Sequence, residues 1–118
     1  MHGWCGRLLK INLTQQTITA EEPPKELYER FTGGRGLAGF YLRDSITLTV
    51  DDPAMPLLFF TGPLVGTPSP TSGRMTVMSR SPLTGTVGDA SVGGKFGVSL
   101  KKAGYDGITS RRRYRFLF

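Results

Sequence analysis

Apolar and polar positions alternate in short runs separated by glycine and proline, a pattern that predicts short strands joined by tight turns. Residues 6–13 (GRLLKINL) read as a strand, Thr14-Gln15-Gln16 as a turn, and 17–20 as a returning strand with Ile18 and Ala20 on one face. Together they predict an N-terminal hairpin, ended by Pro23 and Pro24. Pro24 suits the first turn of a helix, where its missing N–H is not needed, and Glu26 lies where the helix dipole favours an anion. Leu27 and Phe31, four residues apart, give that helix an apolar face, and Gly33-Gly34 stops it. A second short helix is predicted over 36–42, with Leu37, Phe40 and Tyr41 facing inward.

Asp51-Asp52-Pro53 and Met55-Pro56 mark a loop ahead of 57–61 (LLFFT), a continuous apolar run that reads as a buried strand. Residues 64–73 (LVGTPSPTSG) form an ordered loop set between strands. Residues 75–79 (MTVMS) alternate as a strand with Met75, Val77 and Ser79 on one side; 81–85 is a turn and Thr86-Val87 a brief strand. Gly93-Gly94 precede a helix in which Phe96, Leu100 and Ala103 share a face, with Lys101 and Lys102 near its C-terminal end and Gly104 as its cap. Residues 105–109 give the last strand. The fold class expected is α+β, mostly β.

Composition narrows the function classes. With 118 residues, 38% hydrophobic and 20% charged, the chain is one small globular domain. It has no room for a two-domain kinase or polymerase, or for a full oxidoreductase with its own substrate pocket. No apolar stretch is long enough to span a bilayer, and no charged start followed by an apolar run suggests a secretory leader, so the cytoplasm is the expected compartment. Cys5 is the one cysteine and cannot by itself make an internal disulfide, a zinc site or an iron–sulfur cluster. His2 is the one histidine, which excludes a Ser/His/Asp set and leaves no metal role for it. Asp51 and Asp52, adjacent in a loop, do not converge on one substrate. Arg111, Arg112, Arg113 and Arg115 supply four of the net +6 charges, so the basic character belongs to the C-terminal end.

Three loops carry candidate chemistry. Arg74 stands at the mouth of the polar glycine-rich loop, where a guanidinium can grip a phosphate through two hydrogen bonds; a solvated arginine at a strand start is the commoner arrangement. Gly93-Gly94 open a helix whose N–H groups point at anions, with Ser91 as a cap or donor and Lys95 as a cation; a plain turn and cap would look the same. Gly33-Gly34-Arg35-Gly36 reads as a helix terminator followed by a tight turn. Trp4 is expected to pack rather than stack on a ligand. None of these matches a dinucleotide fingerprint or a phosphate-binding P-loop, so no nucleotide is implied.

The order of these segments is the strongest signal. Trp4-Cys5-Gly6-Arg7, Asn12-Leu13-Thr14, Gly33-Gly34-Arg35-Gly36-Leu37-Ala38, Thr61-Gly62-Pro63-Leu64, Pro70-Thr71-Ser72-Gly73-Arg74, Ser81-Pro82-Leu83-Thr84-Gly85, Gly93-Gly94 with Phe96-Gly97, and Lys102-Ala103-Gly104-Tyr105-Asp106 follow one another at compatible spacings. In this order the chain resembles the N-terminal domain of the aldehyde ferredoxin oxidoreductase family, over residues 3–108. The resemblance implies a two-sheet, mostly β domain on which a tungsten or molybdenum bis-pterin lies. It also implies oxidation of aldehydes to carboxylic acids with ferredoxin as electron acceptor. By position, Arg74 resembles the pterin-contacting arginine, and Ser91, Gly93, Gly94 and Lys95 the cofactor-contacting turn. Some relatives carry Asn in place of Ser91, where the backbone helps hold a Mg2+ ion bridging the pterin phosphates. The [4Fe–4S] cluster cysteines and most of the substrate pocket lie in later domains of the family, and family members are often homodimers.

The resemblance divides the chain into a pterin-cradling domain over 1–109 and an aberrant basic, aromatic tail over 110–118. After Thr109-Ser110 the strand pattern gives way to RRRYRFLF, which reads as a shifted reading frame or truncation. Alone, such a chain is expected to be inactive on aldehydes. The alternative is a stand-alone, non-enzymatic pterin-binding or accessory module. Arginines at one terminus, with no basic surface elsewhere, are thin support for nucleic-acid binding, and no membrane partner is expected.

Overall fold

The computed structural model describes residues 3–13, 15–43, 55–70, 72–81 and 86–111. Asp51-Asp52-Pro53, the Pro82–Gly85 part of the predicted turn, His2 and residues 112–118 lie outside them. Six strands and three helices follow in the order β1 (Leu8–Asn12), β2 (Thr17–Glu21), α1 (Lys25–Phe31), α2 (Gly34–Arg43), β3 (Leu57–Thr61), β4 (Met75–Arg80), β5 (Val87–Val92), α3 (Phe96–Lys102) and β6 (Gly107–Arg111). The α+β class holds. All described strands join a single sheet of order β2-β1-β6-β3-β4-β5, where the resemblance implies two sheets for the family's domain.

The predicted hairpin forms, with Leu8 paired to Glu21 and Asn12 to Thr17. Its turn takes Gln16 into the left-handed region at φ 55, and the Asn12 side chain accepts the Gln15 N–H at 3.3 Å. β3, β4 and β5 make an antiparallel meander. β6 bridges the two units, parallel to β1 and antiparallel to β3. Gly107 makes that insertion possible: a Cβ there would lie 2.5 Å from the Phe60 ring and 2.8 Å from the Phe59 carbonyl oxygen. β6 also runs through Ser110 and Arg111, so these two residues belong to the sheet and not to a tail.

The core lies between the sheet and the α1–α2 pair. Leu8, Leu58, Phe60 and Met78 rise from the sheet to meet Tyr28, Leu37, Ala38 and Leu42. Each large side chain buried this way contributes about 1.5–3 kcal/mol. α1 presents Tyr28 fully inward, with Leu27 and Phe31 packed at its margin. In α2 the buried positions are Leu37, Ala38 and Leu42, while Phe40 and Tyr41 are half-buried and stack outward from Phe60. Leu37 is inward as expected, and Ala38 and Leu42 take the buried places expected for Phe40 and Tyr41. In β4 Met78 is buried beside the predicted Met75, because the two faces of this strand are covered by different helices. α3 buries Gly97, Leu100 and Lys101, and Phe96, predicted to be inward, is 50% exposed.

Candidate functional site

The loop over 62–74 is held by its own side chains. The Thr67 hydroxyl donates to the Leu64 carbonyl at 2.5 Å and the Ser72 hydroxyl to the Ser69 carbonyl at 2.8 Å. The Val65 N–H donates to the Gly62 carbonyl at 3.3 Å. Gly66, at φ +83, approaches Lys101 so closely that a Cβ would lie 3.2 Å from the lysine's own, which seats the loop on α3. The result is an open pocket of about 570 Å³, lined among others by Thr32, Pro63, Leu64, Ser69, Ser72 and Arg74.

Arg74 is exposed on the rim of this pocket and makes no ion pair or hydrogen bond among the described residues. Met75 pairs with Val92, so the residues just beyond that pair, Arg74 on one strand and Gly93 on the other, emerge at the same end of the sheet. A Cβ at Gly73 would lie 3.4 Å from the Gly94 carbonyl oxygen. The structure therefore brings Arg74 and the 93–95 turn together. Gly93 and Gly94 are exposed, and a Cβ at either would meet nothing within 4 Å. Gly94 has φ +87, which favours glycine. Lys95 is exposed and occupies the N-cap of α3 without a side-chain cap.

Ser91 differs from its predicted place. It sits in edge strand β5 opposite Thr76 and does not cap α3. The strand reaches past the expected Thr86-Val87 because β4 supplies a ladder partner for each residue through Val92. Of Gly33-Gly34-Arg35-Gly36, read as a helix terminator and a tight turn, Gly33 lies in the joint after α1, while Gly34, Arg35 and Gly36 form the first turn of α2. Gly33 has φ +147, a Cβ there would lie 2.8 Å from the Thr61 carbonyl oxygen, and Arg35 pairs with Asp89 of β5 at 2.7 Å.

A second polar cluster lies behind the pocket. Asp106, 2% exposed, accepts the Cys5 N–H at 2.9 Å, the Gly6 N–H at 2.7 Å and the Lys101 ammonium at 2.8 Å. Lys101 also donates to the Gly3 carbonyl at 2.6 Å. The Trp4 indole donates to the Thr32 carbonyl at 2.6 Å, so it both packs and anchors. These bonds strap residues 3–6 against the loop, where a Cβ at Gly3 would lie 3.0 Å from the Pro63 carbonyl oxygen. The sequence placed Lys101 only as a cation at a helix end; its partner Asp106 went unrecognised. Burial, and then the charge of Asp106, push the Cys5 thiol up, against the opposing pull of Lys101 and Arg7.

The exposed guanidinium, the adjacent glycine turn and a nearby ammonium suit an anionic, phosphate-bearing ligand. Comparison with known proteins gives this arrangement a context. The family described as aldehyde ferredoxin oxidoreductase, N-terminal domain, matches residues 8–112. The chain is 44% identical over 110 residues to the tungsten-containing aldehyde ferredoxin oxidoreductase of Pyrococcus furiosus, a match covering 92% of this chain and 18% of that protein. It is 32% identical over 116 residues to the WOR-like subunit of an aliphatic sulfonate oxidoreductase from the same organism, covering 94% of this chain and 18% of that one. Among solved structures, the active-site complex BamBC of benzoyl coenzyme A reductase with 1,5-dienoyl-CoA is similar at a TM-score of 0.92 and 30% identity, covering 98% of this chain and 18% of that chain. This chain spans about a fifth of the length of these relatives, and it belongs to the aldehyde ferredoxin oxidoreductase N-terminal domain family.

Proposed function

We propose that this chain is the cofactor-cradling N-terminal part of an oxidoreductase that oxidises aldehydes to carboxylic acids with ferredoxin as electron acceptor. Arg74 and the backbone of 93–95 hold the phosphates of a tungsten or molybdenum bis-pterin. The observation that carries the assignment is Arg74, exposed and without a partner among the described residues, on the rim of a pocket of about 570 Å³ beside a glycine turn with open space above it. A planar guanidinium binds phosphate oxygens in pairs, and glycine lets a ligand approach the main chain. When bound, the metal centre supplies the two-electron oxidation; the residues named here bind and orient its phosphates.

The names of the relatives point the same way. Proteins acting on aldehydes, on aliphatic sulfonates and on a benzoyl-CoA carry the same domain. A segment common to such different substrates fits the cofactor better than it fits substrate choice. A Mg2+ ion that the Ser91 carbonyl would help hold beside the pterin phosphates belongs to the same proposal. So do a [4Fe–4S] cluster outside this segment, a homodimer and a cytoplasmic site. No described helix is long and apolar enough to cross a membrane. The buried core and the Asp106 strap support the alternative, a stand-alone module that carries pterin without turnover.

A chimera tests the proposal. Residues 8–111 replace the matching segment of the P. furiosus aldehyde enzyme, and metal content and aldehyde-dependent reduction of a viologen dye are measured. The chimera is expected to retain tungsten and activity, and Arg74→Ala within it to lose most of the tungsten. A folded chimera that keeps its tungsten after Arg74→Ala overturns the role given to Arg74.

A further inference from the structure

The anion site consists of two pieces separated along the chain: the 62–74 loop, which ends in Arg74, and the 93–95 turn, which opens α3. Neither piece is rigid by itself. Among the described residues of the loop only Val65 is buried, and the turn is exposed throughout. α3 has seven residues, with Gly97 in its first turn and no side-chain cap. A helix shorter than about 12 residues is marginal without tertiary contacts. One side chain meets both pieces. Lys101 belongs to α3, and its side chain is 6% exposed. Its ammonium donates to the Asp106 carboxylate at 2.8 Å and to the Gly3 carbonyl at 2.6 Å. Its stem is the seat of the loop, where a Cβ at Gly66 would lie 3.2 Å from the lysine Cβ and 3.7 Å from its Cγ. Asp106 extends the hold. Its backbone carbonyl accepts the Thr61 N–H at 2.9 Å and the Thr61 hydroxyl at 2.7 Å, at the residue from which the loop departs. Its carboxylate accepts the N–H groups of Cys5 and Gly6, and the adjacent Trp4 indole holds the carbonyl of Thr32 on the pocket wall. Thr32 has φ 66, an uncommon conformation for a β-branched residue, so its place depends on such contacts.

We propose that Lys101 is a positioning residue for the anion site. Paired with Asp106, it fixes the 62–74 loop and the start of α3 relative to each other, so that Arg74 and the 93–95 turn meet one ligand together. This role rests on the reading of that site as a phosphate cradle. A buried ion pair suits placement better than it suits stability. Taking two charges out of water costs about what their attraction returns, and well-packed apolar residues often stabilise a core as well. What the ammonium adds is direction. Its N–H groups must be met by fixed acceptors, here Gly3 and Asp106, while its stem carries Gly66. A ligand held by two separate segments binds more weakly when either of them has to be ordered on binding. A single side chain that anchors both removes that cost.

A chimera that carries residues 3–111 in the P. furiosus aldehyde enzyme tests this role. Amide hydrogen exchange is followed in chimera made without tungsten, and tungsten content is measured in chimera made with it. The reporters are the hydrogen-bonded amides of Val65 and Thr67 in the loop and of Ser99 in α3. Lys101→Met is expected to speed exchange in both pieces, to leave the β3–β4 ladder protected, and to lose most of the tungsten. Faster exchange in one piece only, or in neither, overturns the proposal. If the ladder opens too, the variant has unfolded and Gly66→Ala decides. That substitution keeps the ion pair and sets a methyl group against the lysine stem from an exposed loop position. It is expected to speed exchange at Val65 and Thr67 and to lower the tungsten content, and a folded variant unchanged in both overturns the proposal. Arg74→Ala separates the two readings. Tungsten lost with Arg74→Ala but kept with Lys101→Met defeats the role of Lys101 alone. Tungsten kept with Arg74→Ala defeats the cofactor reading, and the exchange rates still decide whether Lys101 couples the two pieces.

Discussion

At the scale of single residues, Asp106 does the most. It compensates Lys101 and two backbone N–H groups while almost fully buried. Removing one partner of such a pair leaves the other charge buried and costs about 3–5 kcal/mol. Asp106→Ala is expected to lower the unfolding free energy by that order in urea titration; an unchanged midpoint would show the pair to be solvated. Two phenols make stability depend on pH. Burial first, and then the charge of Asp106 for Tyr28 and of Glu21 for Tyr41, raise both well above the ordinary 10.0. The folded state therefore holds their protons where the unfolded state releases them. Their contribution is complete below that ordinary value and declines as pH rises past it. Urea midpoints on either side of it check the sign, and a midpoint that rises with pH there would contradict it. Arg74 was legible in the sequence because its context, a polar glycine-rich loop, is local. Asp106 was not, because its N–H partners lie 101 and 100 residues away and only folding makes it a hub.

At the scale of elements, the tightest constraint is the contact of β6 with β3. Gly107→Ala places a methyl group against the Phe60 ring and the Phe59 carbonyl. Overpacking of this kind costs about 1–3 kcal/mol. The expected outcome is a lower thermal midpoint by circular dichroism, and an unaltered one would mean that Phe60 swings aside freely. The helices and most strands were readable because their signals are local: Pro24 ahead of α1, the apolar run of β3, the glycines flanking α3. β5 was under-read because VGDASV has little strand propensity of its own and is a strand through its pairing with β4. Strand order was not readable at all. No local feature says that β6 pairs parallel to β1, since that choice is made by tertiary packing.

For the whole molecule, one cysteine decides what the chain can do by itself. Cys5 cannot hold an iron–sulfur cluster alone. The 118-residue chain incubated with aldehyde and a viologen dye is expected to give no reduction; sustained turnover would contradict the division of labour proposed between this domain and the rest of its relatives. The position of β6 has a consequence for how such a domain is made. Gly107 pairs with Leu8, so β6, the latest of the six described strands in chain order, lies between two units synthesised before it. Until it arrives, the β1–β2 hairpin and the β3–β5 meander each carry an open hydrogen-bonding edge, the kind of edge that pairs with other chains. Contacts this distant along the chain also form slowly. Between the synthesis of the meander and that of β6, a nascent chain of this family therefore carries two unsealed half-sheets, exposed to proteases and to its neighbours until the joining strand is threaded in.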